Sequence, residues 1–380
     1  GVLRIELFIP QTNSFAFDKM TSEIYDELNQ EIFDINLKPE ATIQITDIAD
    51  YNKTEGLALS EDEIKYLEGL SKKIKRNLTD SEVFGFSQVN SEHCRHKIFN
   101  GKFIIDDKEM SSSLFQLIKK TTKENSNYVV SAYKDNVAFI DGPTIKQFAP
   151  KHGHRPSTYK ESNFKSVISL KAETHNFPTT VEPFSGAATG SGGEIRDRLA
   201  GGQGSLPLAG TAVYMTPYPR ISKSKIGFDE RKWLYQKPVE ILIKASNGAS
   251  DFGNKFGQPL ISGSLLTFEH KEKNKLYGFD KVIMLAGGIG FAKHTDSKKK
   301  KIQEGDLIIV LGGDNYRIGM GGAAVSSTET GKYSSGIELN AIQRSNPEMQ
   351  KRVSNAIRAV VESENNFIKS IHDHGAGGHL

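Results

Sequence analysis

One junction constrains this chain more than any other. VISLKAETHNFP, from Val167, alternates as a strand does and then empties into SGAATGSGGEIRDRLAGGQG, from Ser185. Glycines there would let backbone approach an anion closely, and Glu194-Ile195-Arg196-Asp197 is predicted to open a helix whose N-terminus favours negative charge. A strand, a glycine loop and a helix in that order require a mixed fold. Glycine is also the one unusual count, 35 residues or about 9% against a usual ~7%. The glycines are clustered, so the clusters are where the chemistry is sought.

The rest of the chain reads the same way. VLRIELFIP is a predicted strand, followed by an amphipathic helix over Phe17–Glu31. Ser60–Glu63 and Thr79–Glu82 are capping boxes that start two helices, the second running out near Asn90 and delivering SEHCRHK (Ser91–Lys97). Ser112–Lys123 reads as helix, and the stretch from Val129 as a hairpin turning at Lys134–Asn136. TAVYMTPY, LLTF and DKVIMLAGGIGFAK read as strands, with a helix from Pro238 to about Phe256 among them. Lys298–Lys301 is predicted to be a solvated turn between strands, after which DLIIVLGG opens a new unit as a strand. A helix near Pro347 follows, capped by Asn346, and IHDHGAGG reads as a strand feeding a glycine turn that the unit would need more chain to complete. The pattern is α+β or α/β.

Composition narrows the function. A chain of 380 residues is too long for one ordinary core, so two or three domains are expected. Its 49 basic and 46 acidic side chains nearly cancel, which excludes a dedicated nucleic-acid binder. A single cysteine, Cys94, rules out an intramolecular disulfide and fits a reducing, cytoplasmic compartment. The longest apolar run, Val282–Ala292, is far short of a bilayer span, so no membrane insertion is expected.

Lys171, Glu173 and His175 fall two apart and on a strand would share one face. An ammonium, a carboxylate and an imidazole together suit a metal-bound phosphate, though a solvent-facing strand edge gives the same spacing. The glycine stretch adds Arg196 for phosphate and Asp197 as a second hard-cation ligand. It matches neither a Walker loop nor a dinucleotide fingerprint. SEHCRHK offers His93 and Cys94, but zinc would need distant partners, and a helix C-terminus rich in cations reads equally well. Asp373 sits where a strand meets a glycine turn, a common place for a metal carboxylate. Gln343 precedes a helix start, where an amide could read a substrate. The glycines of GGDNYRIGMGG, from Gly312, either cradle a phosphate or turn a corner.

SEHCRHKIFN, ETHNFPT, GAATGSGGEIRD, PLISG, IMLAGGIG, QRSNPEM and IHDHGAGG, in this order, resemble the large single-chain phosphoribosylformylglycinamidine synthases, also called formylglycinamide ribonucleotide amidotransferases. The resemblance runs from about Leu57 to the end. It implies an ATP-dependent C–N ligase that phosphorylates the amide oxygen of formylglycinamide ribonucleotide, then lets ammonia from glutamine displace phosphate to leave an amidine. By matching motif, His93 and His175 would be catalytic, His175 as proton acceptor. Lys171 would bind ATP, and Gly186, Ala187, Ala188, Thr189, Gly190, Ser191, Gly192, Gly193, Glu194, Ile195, Arg196 and Asp197 would line the nucleotide. Glu173, Asp197 and Asp373 would hold Mg²⁺, while Thr174, Asn176, Arg196 and Gln343 would bind substrate. His96 stands where small forms carry tyrosine, and Phe177 replaces a histidine found in some members.

The same resemblance implies domains: residues 1–45 as the tail of a small N-terminal domain, 46–105 as a helical linker, 106–295 as an aminoimidazole-ribonucleotide synthetase-like ATP-binding domain, and 301–380 as the start of its companion α/β domain. A second synthetase half and the glutaminase would be the missing partners, and the fragment alone would be inactive and able to pair with itself through its sheet. The competing readings are another ATP-dependent ligase or kinase of that superfamily, and a non-catalytic assembly module.

Overall fold

The structure is a computed structural model that describes residues 24–27, 29–30, 40–221, 232, 235–279, 281–313, 318–319 and 321–374. The strand predicted at the start of the chain lies outside these residues. So does the helix predicted over 17–31, apart from 24–27, which are irregular, and 29–30.

The first described unit contains β1 (Gln44–Ile45), α1 (Ile48–Glu55), α2 (Glu61–Ile74), β2 (Leu78–Thr79) and α3 (Asp80–Val89). Both capping boxes form as predicted. The Ser60 amide donates to Glu63 Oε2 at 2.8 Å and the Glu63 amide to Ser60 Oγ at 3.3 Å; Thr79 and Glu82 repeat the exchange at 2.9 and 3.2 Å. Each helix turns its apolar side onto a small core of Ile48, Leu57, Leu67, Leu78 and Val83. Because α3 stops at its cap Asn90, SEHCRHK leaves as a 3₁₀ turn (His93–Arg95) and the short α4 (His96–Asn100).

A two-stranded hairpin, β3 (Ile104–Ile105) and β4 (Lys108–Glu109), leads into α5 (Leu114–Glu124). The main body follows: β5 (Val129–Ser131), β6 (Ala138–Pro150), β7 (Tyr159–Thr174), α6 (Asn176–Val181), α7 (Pro183–Leu199), β8 (Leu206–Thr216), α8 (Pro238–Phe256), β9 (Leu260–Thr267), the pair β10 (Glu269–Glu272) and β11 (Lys275–Gly278), and β12 (Ile283–Lys293). Six strands form one sheet in the order β5-β6-β7-β12-β8-β9. Its pairings are antiparallel except β8 with β9, where α8 supplies the crossover a parallel pair needs. Helix α7 lies on β7, β12 and β8, and α8 packs on α7, so both helices cover one face of the sheet.

The glycine stretch is a correction to the sequence reading. SGAATGSGGEIRD is not a loop; helix α7 starts at Pro183 and runs through it without a break. Proline at the first turn is the legible start signal, since its missing N–H would have had no partner there. Glycine inside a helix costs about 1 kcal/mol relative to alanine, and close packing offsets that cost. A Cβ at Gly192 would lie 2.7 Å from Phe252 Cζ of α8, and one at Gly186 would strike the Pro178 backbone of α6. The glycines let three elements approach one another.

After β12 come α9 (Gly322–Val325), α10 (Ser335–Asn340) and α11 (Pro347–Val361), the last capped by Asn346 Oδ1, which accepts the Met349 amide at 3.0 Å. Three expectations fail here. DLIIVLGG contains no strand, and Leu307 and Ile308 are 86% and 94% exposed. A strand is held by ladder hydrogen bonds to a neighbour, and among the described residues none pairs with this segment. Lys298–Lys301 therefore is no turn between strands: Lys299 Nζ meets Asp135 Oδ1 at 2.9 Å, and the Lys300 amide donates to the Lys369 carbonyl at 2.7 Å. Residues 371–374 are irregular too, and the glycine turn predicted after them lies outside the described residues. Among the described residues no helix is long and apolar enough to cross a membrane.

Candidate functional site

The alternation of β7 puts Lys171 and Glu173 on one side of the strand, with Nζ 3.0 Å from Glu173 Oε2. Helix α7 brings Asp197 against the same ammonium, 2.6 Å from Asp197 Oδ2. The next residue back, Arg196, donates from Nε to Asp373 Oδ2 at 2.9 Å, and Asn136 Nδ2 donates to Asp373 Oδ1 at 3.1 Å. One strand, one helix and an irregular segment from far along the chain thus meet at a single point, with three carboxylates, an ammonium and a guanidinium.

The electrostatics follow from burial. Asp197 has a side chain only 6% exposed, and its Oδ1 accepts no hydrogen bond. Burial, reinforced by the charge of Asp373, pushes its carboxyl from 3.8 up to about 6, against the pull of Lys171. Desolvation works against the Lys171 ammonium, but Glu173 and Asp197 outweigh it and raise its pKa. Asp373 is also raised by burial, yet Arg196 beside it leaves it below its ordinary value. A buried carboxylate oxygen that accepts no hydrogen bond, 3.8 Å from Arg196 Nη2 and on the side chain coupled to Asp373, is the kind of donor a hard cation satisfies. As they stand, Glu173 and Asp197 are bridged by Lys171 and Asp373 is held by Arg196, and among the described residues no three His, Cys, Asp or Glu side chains are arranged as a ready metal site.

His175 departs from the expected strand face. β7 ends at Thr174, and His175 is the residue from which α6 starts, with its Nδ1 2.5 Å from the Gly186 carbonyl of α7. That oxygen can only accept, so Nδ1 carries the proton and Nε2 is left with the lone pair. Burial lowers the pKa of this imidazole, with Glu173 pulling the other way. His175 is therefore a neutral base next to the carboxylates.

SEHCRHK reaches the same place from the helical unit. Lys97 anchors it, donating to the Asn90 carbonyl at 2.6 Å and to Glu63 Oε1 at 3.0 Å. Desolvation lowers the pKa of His93, while Glu173 opposes and Arg196 adds to the shift, which puts His93 within electrostatic reach of the cluster. Cys94 and Arg95 both adopt left-handed backbone, φ 61 and 56. Two such non-glycine residues in a row carry strain of the kind found at functional loops. His96 instead packs on Phe115, ring centroids 5.3 Å apart.

The remaining expected residues divide. Gly190 lies against His175, and Gly193 lies beside Arg196 and Glu173. Ala187, Ala188 and Ile195 are buried among apolar side chains, Thr189 donates to the Ser185 carbonyl at 2.7 Å, and Ser191 is buried within the helix packing. Asn176 Oδ1 accepts the Met284 amide at 3.0 Å, fastening the start of α6 to β12, and Thr174 is exposed at the end of β7. Gln343 is exposed beside Gly319, and none of the described hydrogen bonds joins it to the cluster. Phe177 is buried with Val181 and Ile342. The glycine segment from Gly312 lies partly outside the described residues, so its two readings both stand.

Sequence reasoning missed the network directly behind the cluster. Arg198 donates to Glu194 at 2.7 and 3.0 Å, to Gln258 and to the Ile289 carbonyl, while Gln258 Nε2 donates to Glu194 Oε1 at 2.6 Å. All three side chains are fully buried. Gly288 of the IMLAGGIG segment makes the room: a Cβ there would come 2.5 Å from the guanidinium. The signal was the Glu–Arg spacing of four, which speaks only once the stretch is read as helix.

Several known proteins are similar to this chain. Residues 48–97 match the family model of the formylglycinamide ribonucleotide amidotransferase linker domain, and residues 303–380 that of the AIR synthase related protein C-terminal domain. Over 97% of its length the chain is 38% identical to a phosphoribosylformylglycinamidine synthase of Dictyostelium discoideum, and it spans 28% of that relative. Two Thermotoga maritima structures are similar at lower levels. PurL complexed with FGAR is 22% identical, with a TM-score of 0.48 over 79% of this chain and 37% of that one; PurLQS is 21% identical, with 0.46 over 83% and 38%. The chain belongs to the phosphoribosylformylglycinamidine synthase family.

Proposed function

We propose that the cluster at the end of β7 and on α7 is the Mg²⁺-ATP end of an ATP-dependent synthetase that converts formylglycinamide ribonucleotide to its amidine, and that residues 46–105, 106–295 and 301–380 are its linker, ATP-binding domain and companion domain. An amide oxygen is a poor leaving group, so the reaction needs that oxygen phosphorylated before ammonia can replace it. Mg²⁺, when bound, would supply charge neutralisation for the phosphoryl group. Glu173, Asp197 and Asp373 would hold it. Lys171, already poised between two carboxylates, would neutralise phosphate oxygens, and Arg196 would meet substrate with Thr174, Asn176 and Gln343. The neutral His175, its Nδ1 proton committed to Gly186, would take a proton on Nε2 as ammonia adds. His93 would act from the loop above. The observation that carries this reading is the buried Asp197 Oδ1, which accepts no hydrogen bond and has only the Arg196 guanidinium 3.8 Å away, beside Lys171 and Asp373. Calorimetry of Mg²⁺-ATP binding tests it: Asp197→Ala is expected to lose Mg²⁺-dependent binding, and unchanged binding would refute the assignment.

The outer face of the sheet favours an added role in assembly. Leu208, Ile261, Leu266 and Ile289 are each between 41% and 62% exposed on β8, β9 and β12. A second sheet laid on this face would cover them, whether from the rest of a longer chain or from another copy. Sedimentation of the chain is expected to show a concentration-dependent dimer; a strict monomer at every concentration would remove the self-pairing reading.

A further inference from the structure

The turn between β5 and β6 holds two adjacent residues with different work. Asp135 fastens the fold: its Oδ2 accepts the Gly202 amide just past α7 at 3.0 Å, and its Oδ1 accepts Lys299 Nζ at 2.9 Å. Asn136 has its amide nitrogen 3.1 Å from Asp373 Oδ1, across 237 residues of sequence. Asp373 lies in an irregular segment, so no helix or strand fixes its direction. Its carboxylate, 5% exposed, is held at one oxygen by Arg196 and at the other by Asn136.

We infer that Asn136 is a positioning residue that aims the Asp373 carboxylate at Asp197 so that the two acids can share one divalent cation. Asp373 Oδ1 accepts from Asn136 and Oδ2 from Arg196, and the remaining capacity meets Asp197, where a cation would replace the hydrogen bond between the two acids. A neutral amide orients the carboxylate without cancelling its charge, which a lysine at that position would do. Partners of this kind, one step removed from a metal, typically change its affinity 10–100-fold when removed. Asparagine is also a common turn residue, but turn chemistry does not account for a side chain directed at Asp373.

The inference rests on the cation-binding reading proposed above, and the test separates the two. The probe is Mn²⁺ alone, titrated into the whole chain, with free Mn²⁺ read by electron paramagnetic resonance and the unfolding midpoint recorded for each variant. Asn136→Ala is expected to weaken Mn²⁺ binding roughly tenfold with its midpoint unchanged. Asn136→Ser, which keeps turn propensity but not reach, is expected to do the same, and stands in should the alanine variant fail to fold. Asp135→Ala is expected to lower the midpoint and leave affinity within about twofold, a factor too small to reflect a lost partner of the ligands. Wild-type affinity in both Asn136 variants, with affinity lost in Asp373→Ala, would overturn the inference alone. Wild-type affinity in Asp373→Ala would overturn the cation site itself.

Discussion

Helix α7 and the segment 306–313 look alike in sequence, both rich in glycine or apolar residues next to a charged run, yet they end in opposite environments. Almost every residue of α7 is buried, glycines and ion pair included, because a sheet and a second helix close over it. Leu307–Leu311, five apolar residues with strand composition, are 49–94% exposed. Local pattern states a preference; a neighbouring surface decides whether it is realised. α7 is helical despite its glycines because those glycines fit against Phe252 and Pro178, and DLIIVL is not a strand despite its composition because no described strand lies beside it.

The strongest way to break that contrast is to damage the buried side. Glu194→Ala would leave the Arg198 guanidinium buried with only Gln258 and a backbone carbonyl. Removing one partner of a buried pair costs about 3–5 kcal/mol. The unfolding midpoint in denaturant is expected to fall accordingly, whereas Glu194→Leu with Arg198→Met should recover much of the loss, since well-packed apolar replacements of buried pairs are often neutral or stabilising. A single variant as stable as the parent would mean the pair is solvated and α7 less enclosed than described.

Acid sharpens the same point at the cluster. Asp197 titrates near 6 in the fold against 3.8 for the free side chain, so between those values the folded chain holds a proton that the unfolded chain releases. Stability from this group is full below pH 4 and is lost as pH rises through about 6, the reverse of an ordinary salt-bridged aspartate. The size is on the order of 1–3 kcal/mol, because each tenfold change in proton affinity between the two states is worth about 1.4 kcal/mol. Chelator-treated protein is expected to show this slope between pH 4 and 6, and Asp197→Asn to abolish it. An unchanged slope in that variant would place the titration elsewhere.

What is legible in the sequence follows the same division. Capping boxes, the Pro238 and Pro347 helix starts and the β5–β6 turn are readable because each rests on a few neighbouring residues and backbone hydrogen bonds. Lys171 and Glu173 are readable because strand alternation alone aligns them. His175 is not, since its side chain is directed by a carbonyl of α7, and Asn136 is not, since its partner is 237 residues away. The glycine stretch misleads for a related reason. Glycine is neutral between loop and close helix contact until the opposing side chain, Phe252 in α8, is known.

The exposed segment gives the smallest expected effect and the cleanest control. Ile308 is 94% exposed, so Ile308→Lys removes almost no buried surface. Surface substitutions of this kind fall within about 0.5 kcal/mol, and the unfolding midpoint at low protein concentration is expected not to move. Binding of a hydrophobic dye should fall, because an exposed apolar run has been interrupted by a charge. A loss of about 2 kcal/mol or more, well outside that surface range, would contradict the exposure, and its dependence on protein concentration would tell why. A loss that grows with concentration means a second copy covers the segment. A loss independent of concentration means the chain folds over its own Leu307–Leu311, and the contrast with α7 would then be one of degree rather than kind.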